Sequence, residues 1–162
     1  MDRRNFLKIC GAVSIVSFIP WEVAMAHHGA INKLELSDKE WKKRLSPEQY
    51  NILRKAGTER SGTSPLNNEK RKGMFVCAGC DLELFSSDMK FESGTGWPSF
   101  FNVLEGHVET KKDWVLLYPR TEYHCARCGG HHGHIFEDGP KPTGLRYCNN
   151  GLALKFIPDE GA

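Results

Sequence analysis

Four of the six cysteines fall in two Cys-x-x-Cys pairs, Cys77 with Cys80 and Cys125 with Cys128. The 44 residues from 81 to 124 separate them. Two such knuckles, with glycine in or just after them (Gly79, Gly129, Gly130), are the pattern of a closed tetrahedral zinc site with four thiolate ligands. Disulfides within or between the pairs are the competing arrangement. A site with four soft ligands leaves no open coordination position, so its role is to hold the fold. Of the other two thiols, Cys10 lies in the leader and Cys148 near the C-terminus. Cys148 is therefore the thiol left for chemistry, the alternative being an inert buried cysteine.

Around Cys148 the residue types suit thiol chemistry. A thiol reacts as its thiolate, which a nearby cation or donor favours. Arg146 and Asn150 stand two residues to either side, so an extended strand puts all three on one face. His131 and His134 offer a general acid or proton relay. Their other reading, metal ligation, loses ground because four cysteines already complete a shell. His132 should alternate to the opposite face of a strand, at the surface. Trp97, between Gly96 and Pro98, is either a fixed aromatic wall or ordinary core.

The ends bound the fold. Arg3-Arg4-Asn5-Phe6-Leu7-Lys8, an apolar stretch from Ile9 to Pro20, and Ala24-Met25-Ala26 read as a twin-arginine export signal over residues 1–26. The apolar stretch is too short to cross a hydrocarbon core of roughly 30 Å as a helix. Twin-arginine export carries folded proteins, which suits a protein that collects its metal first, and it places the mature chain in the periplasm without stable membrane association. Residues 27–36, opening on His27-His28, read as a tail, and residues 37–158 as one domain. From 27 to 162 there are 19 basic and 18 acidic residues, a net +1, which argues against nucleic acid as a partner.

The elements that must position the site are mostly strands. Ser37-Asp38-Lys39-Glu40 and Ser46-Pro47-Glu48-Gln49 are capping boxes that open two short helices, the second ending at Gly57. Thr58 to Lys72 is a polar loop. Strands are expected at 74–76, 84–85, around Phe91, at 108–110, 114–118, 121–124 and 152–157, with Lys111-Lys112-Asp113 as a hairpin turn. This predicts a mainly antiparallel β domain, with the helices packed across a sheet.

Ordered along the chain, Gly57-Thr58-Glu59, both knuckles, Gly96-Trp97-Pro98-Ser99-Phe100, His131-x-Gly133-His134-x-Phe136, Asp138-Gly139-Pro140, Thr143-Gly144 and Arg146-Tyr147-Cys148-x-Asn150 resemble the B-type methionine sulfoxide reductases. The resemblance spans about Leu36 to Ile157. It implies a β-rich fold of two antiparallel sheets and reduction of methionine-R-sulfoxide. Carried over, Cys148 matches the catalytic cysteine and His131 and His134 the paired histidines. Trp97 matches the wall against the substrate methyl, and Asp138, Arg146 and Asn150 match polar residues lining the site, with Phe136 beside them. Many members carry a resolving cysteine where this chain has Thr95, so the chain resembles the one-cysteine subgroup. Its sulfenic acid then needs an outside thiol donor, such as a thioredoxin-like partner, with oxidised proteins as substrates and a monomer as the default state. His132 also departs from the family, which commonly has an apolar residue there. Two other classes remain: a non-catalytic zinc-stapled binding module, and a disulfide oxidoreductase that uses one Cys-x-x-Cys as a dithiol.

Overall fold

The computed structural model describes residues 31–114 and 119–161. The export signal, its cleavage site and His27-His28 lie outside the described residues. Two helices open the fold, α1 (Asp38–Arg44) and α2 (Pro47–Lys55). Both expected capping boxes form, with Ser37 and Ser46 each accepting from the backbone three residues on. The C-cap of α2 is Ala56, in the left-handed region at φ 53°, with Gly57 following.

Among the described residues nine strands follow: β1 (Gly73–Cys77), β2 (Glu83–Ser86), β3 (Lys90–Phe91), β4 (Ser99–Phe100), β5 (Val108–Asp113), β6 (Arg120–Cys125), β7 (His131–Phe136), β8 (Arg146–Asn149) and β9 (Leu154–Pro158). They build two antiparallel sheets, β2-β1-β9 and β3-β4-β8-β7-β6-β5. Aromatic side chains fill the core: Phe85 stacks on Phe100 at 4.1 Å, and Phe75 meets Phe100 edge-on at 4.9 Å. Tyr123 and Tyr147 close the cluster, also edge-on, at 5.4 Å. Such pairs add specific geometry to the large apolar area they bury.

Two expectations need correction. Lys111-Lys112-Asp113 is not a turn: these residues continue β5 and pair with Glu122, Thr121 and Arg120. Trp114 lies beyond the strand and is exposed; residues 115–118 are outside the described residues. The polar triplet imitates a hairpin turn because a strand with one wet face also carries charges. The last strand begins at Leu154, after a 3-10 turn over Gly151–Ala153. The helices do pack on a sheet, α2 against β7 of the larger one. They also lean on the cysteine knuckles, where Arg44 Nε donates to the Gly79 carbonyl at 2.6 Å and Arg54 Nη1 to the Cys128 carbonyl at 2.8 Å. Leu34 closes the same corner by donating its N–H to the Arg127 carbonyl at 2.7 Å.

Candidate active site and metal centre

The metal corner joins the two sheets. Cys77 ends β1 in one sheet and Cys125 ends β6 in the other. All four cysteines are buried and free of disulfides, and their sulfurs lie within 4.8 Å of one another. Cys77 and Cys128 approach to 3.7 Å, and Cys80 and Cys125 to 3.4 Å. A tetrahedron with Zn–S bonds of about 2.3 Å has sulfurs roughly 3.8 Å apart, so the donor set fits that ion. The buried thiols hydrogen-bond one another, and contact with Cys125 holds Cys80 and Cys128 low. A bound cation would favour the thiolate form of all four.

The second site is a row across the larger sheet. In register, Ser99 of β4 faces Cys148 of β8, Cys148 faces His134 of β7, His134 faces Glu122 of β6, and Glu122 faces Lys111 of β5. Directly opposed residues share a sheet face. Residues two positions along keep that face, which adds Arg146, Phe136, Arg120 and Asp113. The opposite face carries Phe100, Tyr147 and Tyr123 into the core. Alternation therefore sorts one sheet into a chemical face and a packing face.

A pocket of about 180 Å³ opens on the chemical face. Trp97, His134, Phe136, Cys148 and Asn150 line it, together with Thr58 and Arg120. Trp97 donates its Nε1–H to the Glu59 carbonyl at 3.2 Å, which fixes the indole. His134 Nε2 lies 2.7 Å from Asp113 Oδ2, a carboxylate oxygen that also accepts from Arg120. His131 stands behind, its ring centroid 5.6 Å from that of His134 and its Nδ1 2.8 Å from Glu122 Oε1. Burial pushes His131 down, against the pull of Glu122, so the ring is neutral near pH 7. Burial acts to raise Glu122, but His131 and Lys111 outweigh it and hold the carboxyl low.

Arg146 does not line the pocket directly. Its guanidinium forms a two-pronged pair with Asp138, at 2.8 Å from Nε and 2.9 Å from Nη2, and lies 4.3 Å from the centre of the Phe136 ring. This planar fork positions a buried cation near the sulfur. Burial nevertheless pushes the Cys148 thiol up, outweighing the Arg146 charge and the hydrogen bonds from Thr95 and Arg146. Asn150 borders the pocket, but its amide is committed elsewhere. Its Oδ1 accepts from the Glu59 N–H at 3.0 Å and its Nδ2 donates to the His132 carbonyl at 2.9 Å.

His131 and His134 differ by three positions, yet both rings lie together. The reason is a bulge: β6 pairs Tyr123 with Gly133 but His124 with His131, leaving His132 as the extra residue. His132 is consequently not at the surface but 0% exposed. Its Nε2 lies 3.4 Å from Cys77 Sγ and its Nδ1 3.1 Å from Asn149 Oδ1. Gly133 follows because β7 and β8 run too close for a side chain; a Cβ there would sit 1.9 Å from the Cys148 carbonyl oxygen.

Sequence reading missed Asp113, Arg120 and Glu122, whose strand register was needed to reach the site. It also gave Glu59 no role, though Glu59 is buried and its carboxylate accepts from Gly151 N at 2.5 Å and Leu152 N at 3.0 Å. Glu59 thereby clamps the turn after Asn150 while its backbone holds Trp97. Glu59→Ala is expected to lower stability by about 1–3 kcal/mol, the cost of leaving buried donors unmet. A lower thermal midpoint, with a smaller drop for Glu59→Gln, is the result to look for. An unchanged midpoint in Glu59→Ala would remove the clamp from the account.

Comparison with known proteins agrees with this geometry. A SelR domain model matches residues 45–158. A peptide methionine sulfoxide reductase MsrB from Methanosarcina mazei is 52% identical over 132 residues, covering 81% of this chain and 94% of the relative. One from Leptospira interrogans is 56% identical over 121 residues, covering 74% and 92%. A chloroplastic peptide methionine sulfoxide reductase B1 from Arabidopsis thaliana is 53% identical over 122 residues, covering 75% and 60%. With this family match and identities of 52–56% over most of the chain, the chain belongs to the MsrB family of SelR-domain proteins.

Proposed function

We propose that the protein reduces methionine-R-sulfoxide in oxidised proteins to methionine, with Cys148 as the catalytic residue. The observation that carries this reading is one pocket holding the Cys148 thiol, an anchored indole and a carboxylate-fixed imidazole. Trp97 and Phe136 receive the substrate's methyl group on apolar walls. The pocket is small enough to read the sulfoxide and its methyl and little of the chain beyond.

The sulfoxide oxygen takes a proton from the His134 side of the pocket, which makes its sulfur electrophilic. With Nε2–H donated to Asp113, Nδ1 of His134 delivers its proton from the doubly protonated ring, which is left neutral and still hydrogen-bonded to Asp113. His131, tied to Glu122, keeps the neighbouring ring in place. The Cys148 thiolate attacks the sulfoxide sulfur. In the resulting S–S adduct the hydroxyl passes from the methionine sulfur to the Cys148 sulfur: the new S–O bond forms as the old S–O and the S–S bonds break, methionine leaves with the electron pair, and Cys148 is left as a sulfenic acid. Arg146, oriented by Asp138, supports the anion, and Asn150 holds the backbone beyond it. Apart from the four cysteines of the metal corner, Cys148 is the only thiol among the described residues, so an external thiol closes the cycle. Two thiols give a disulfide and water and return Cys148–SH. A thioredoxin-like protein suits that role.

Cys77, Cys80, Cys125 and Cys128 would hold one zinc ion, which joins the sheets and supplies no chemical step. The twin-arginine leader supports export to the periplasm as a folded, metal-loaded monomer that repairs oxidised proteins there.

Separate R and S epimers of a capped methionine sulfoxide, with dithiothreitol as donor, test this reading. Turnover of the R epimer alone is expected. Turnover of S, or of neither epimer by folded, zinc-loaded protein, would overturn it.

A further inference from the structure

Three hydroxyls lie in line behind the catalytic sulfur. Ser99 Oγ is 3.1 Å from the Trp97 carbonyl oxygen and 2.8 Å from Ser93 Oγ. Ser93 Oγ is 2.9 Å from Thr95 Oγ1. Ser99 is the strand partner of Cys148 in register, and the Thr95 hydroxyl, at the end of the row, favours the Cys148 thiolate. Ser99 is 1% exposed, and Ser93 and Thr95 are half-buried.

The loop carrying these groups is held in advance. Ser61 Oγ donates to the Thr95 carbonyl at 2.9 Å, and Asn67 Nδ2 and the Gly62 N–H donate to the Gly96 carbonyl at 3.0 and 2.8 Å. Gly96 adopts φ 85°, where a side chain is strained, and a Cβ there would lie 2.1 Å from Ser61 Oγ.

Each hydroxyl can donate one hydrogen and accept others. The row therefore has two self-consistent directions. With Cys148 as a thiol, its S–H donates to Thr95, Thr95 to Ser93, Ser93 to Ser99, and Ser99 to the Trp97 carbonyl. With Cys148 as a thiolate, Ser99 donates to Ser93, Ser93 to Thr95, and Thr95 to the sulfur. The change needs three hydroxyl rotations and no movement of heavy atoms. Chains of this kind polarise one another, so the donor at the end is stronger than a lone hydroxyl.

We propose that Ser93, Thr95 and Ser99 form a reversible hydroxyl relay that stabilises the anionic state of Cys148, with Thr95 as a further catalytic residue and the two serines as positioning residues. The relay carries no net proton away; it turns its dipoles toward the charge. It also rationalises a threonine in this chain, since a hydroxyl here serves the thiolate that external donors must regenerate.

Other groups act on the same sulfur. Arg146 on β8 favours the thiolate, and its partner Asp138 opposes it. His134 faces Cys148 from β7 and Arg120 lines the shared pocket, while Tyr123, on the opposite face, donates to the Cys148 backbone carbonyl. All are unchanged in the variants that follow. The role of Cys148 rests on the reductase reading, but its ionisation can be followed without any substrate.

The test is the pH dependence of Cys148 alkylation by iodoacetamide in zinc-loaded protein, with the modified peptide identified by mass. Thr95→Val removes the hydroxyl at nearly constant shape. Its alkylation midpoint is expected to move about one pH unit to the alkaline side, with about a tenfold slower reaction at pH 7. Thr95→Ser should restore most of the parent profile, and Ser93→Ala should shift it by a smaller amount in the same direction. The kcat for sulfoxide reduction should fall in Thr95→Val with KM little changed. A Thr95→Val profile equal to the parent's, or a Thr95→Ser profile no better than that of valine, would overturn the proposal. So would an unshifted Ser93→Ala profile, since the relay runs through Ser93. A protein inert toward sulfoxide that still shows the shift would retain the relay and refute the reductase reading alone.

Discussion

Cys148→Ser should lower turnover of methionine-R-sulfoxide by at least about 10⁴-fold, to background, with fold and metal unchanged. The reason is chemical rather than steric. Sulfur accepts the substrate's oxygen and becomes a sulfenic acid. A serine oxygen in the same place would have to form an oxygen–oxygen bond. Its hydroxyl also stays protonated where a thiol can ionise. Serine keeps the Cβ and the strand register, so Ser99 and His134 should still flank the position on β4 and β7. Steady-state turnover with dithiothreitol, beside circular dichroism and metal content, checks this. Residual turnover within tenfold of the parent would mean that Cys148 does not carry the reaction.

Losing the metal should cost the fold itself. A structural zinc site contributes on the order of 10 kcal/mol. A domain of this size is stable by about 5–15 kcal/mol in all. Cys125→Ser leaves three good ligands at a junction between β1 of one sheet and β6 of the other. Trp41 and Leu53 of the two helices are buried against the knuckles, so loosening the ligands also loosens that packing. The variant is therefore expected to be largely unfolded, with no cooperative thermal transition and rapid proteolysis. Chelation of the parent under reducing conditions should do the same. A Cys125→Ser protein that melts cooperatively within a few degrees of the parent would show that the cysteines are not the staple. In that case the four thiols would have to be explained by redox chemistry.

Much of this was legible in the sequence wherever the signal was local. The two capping boxes mark α1 and α2 because a serine and its partner three residues on satisfy each other's backbone. The knuckle spacing marks the metal site because ligand chemistry restricts it. Arg146 and Cys148 fall on one face because a strand has a period of two. Illegible were features that depend on pairing between distant strands. The Lys111-Lys112-Asp113 triplet looks like a turn until β6 lies beside it and brings Asp113 to His134. Strict alternation sends His131 and His134 to opposite faces; only the bulge at His132 reunites them, and it buries His132 against Cys77. Glu59 reaches Gly151 across 92 positions, so no local pattern announces it.

A single turnover without reductant shows where the substrate's oxygen goes. Reduced, zinc-loaded protein would be mixed with excess methionine-R-sulfoxide peptide, quenched, and digested for mass analysis. The account predicts one methionine formed per chain and one added oxygen on the Cys148 peptide, trapped by dimedone, with the metal still bound. Methionine formed without oxygen on Cys148, or with oxidation at the Cys77-Cys80 or Cys125-Cys128 pairs instead, would contradict it.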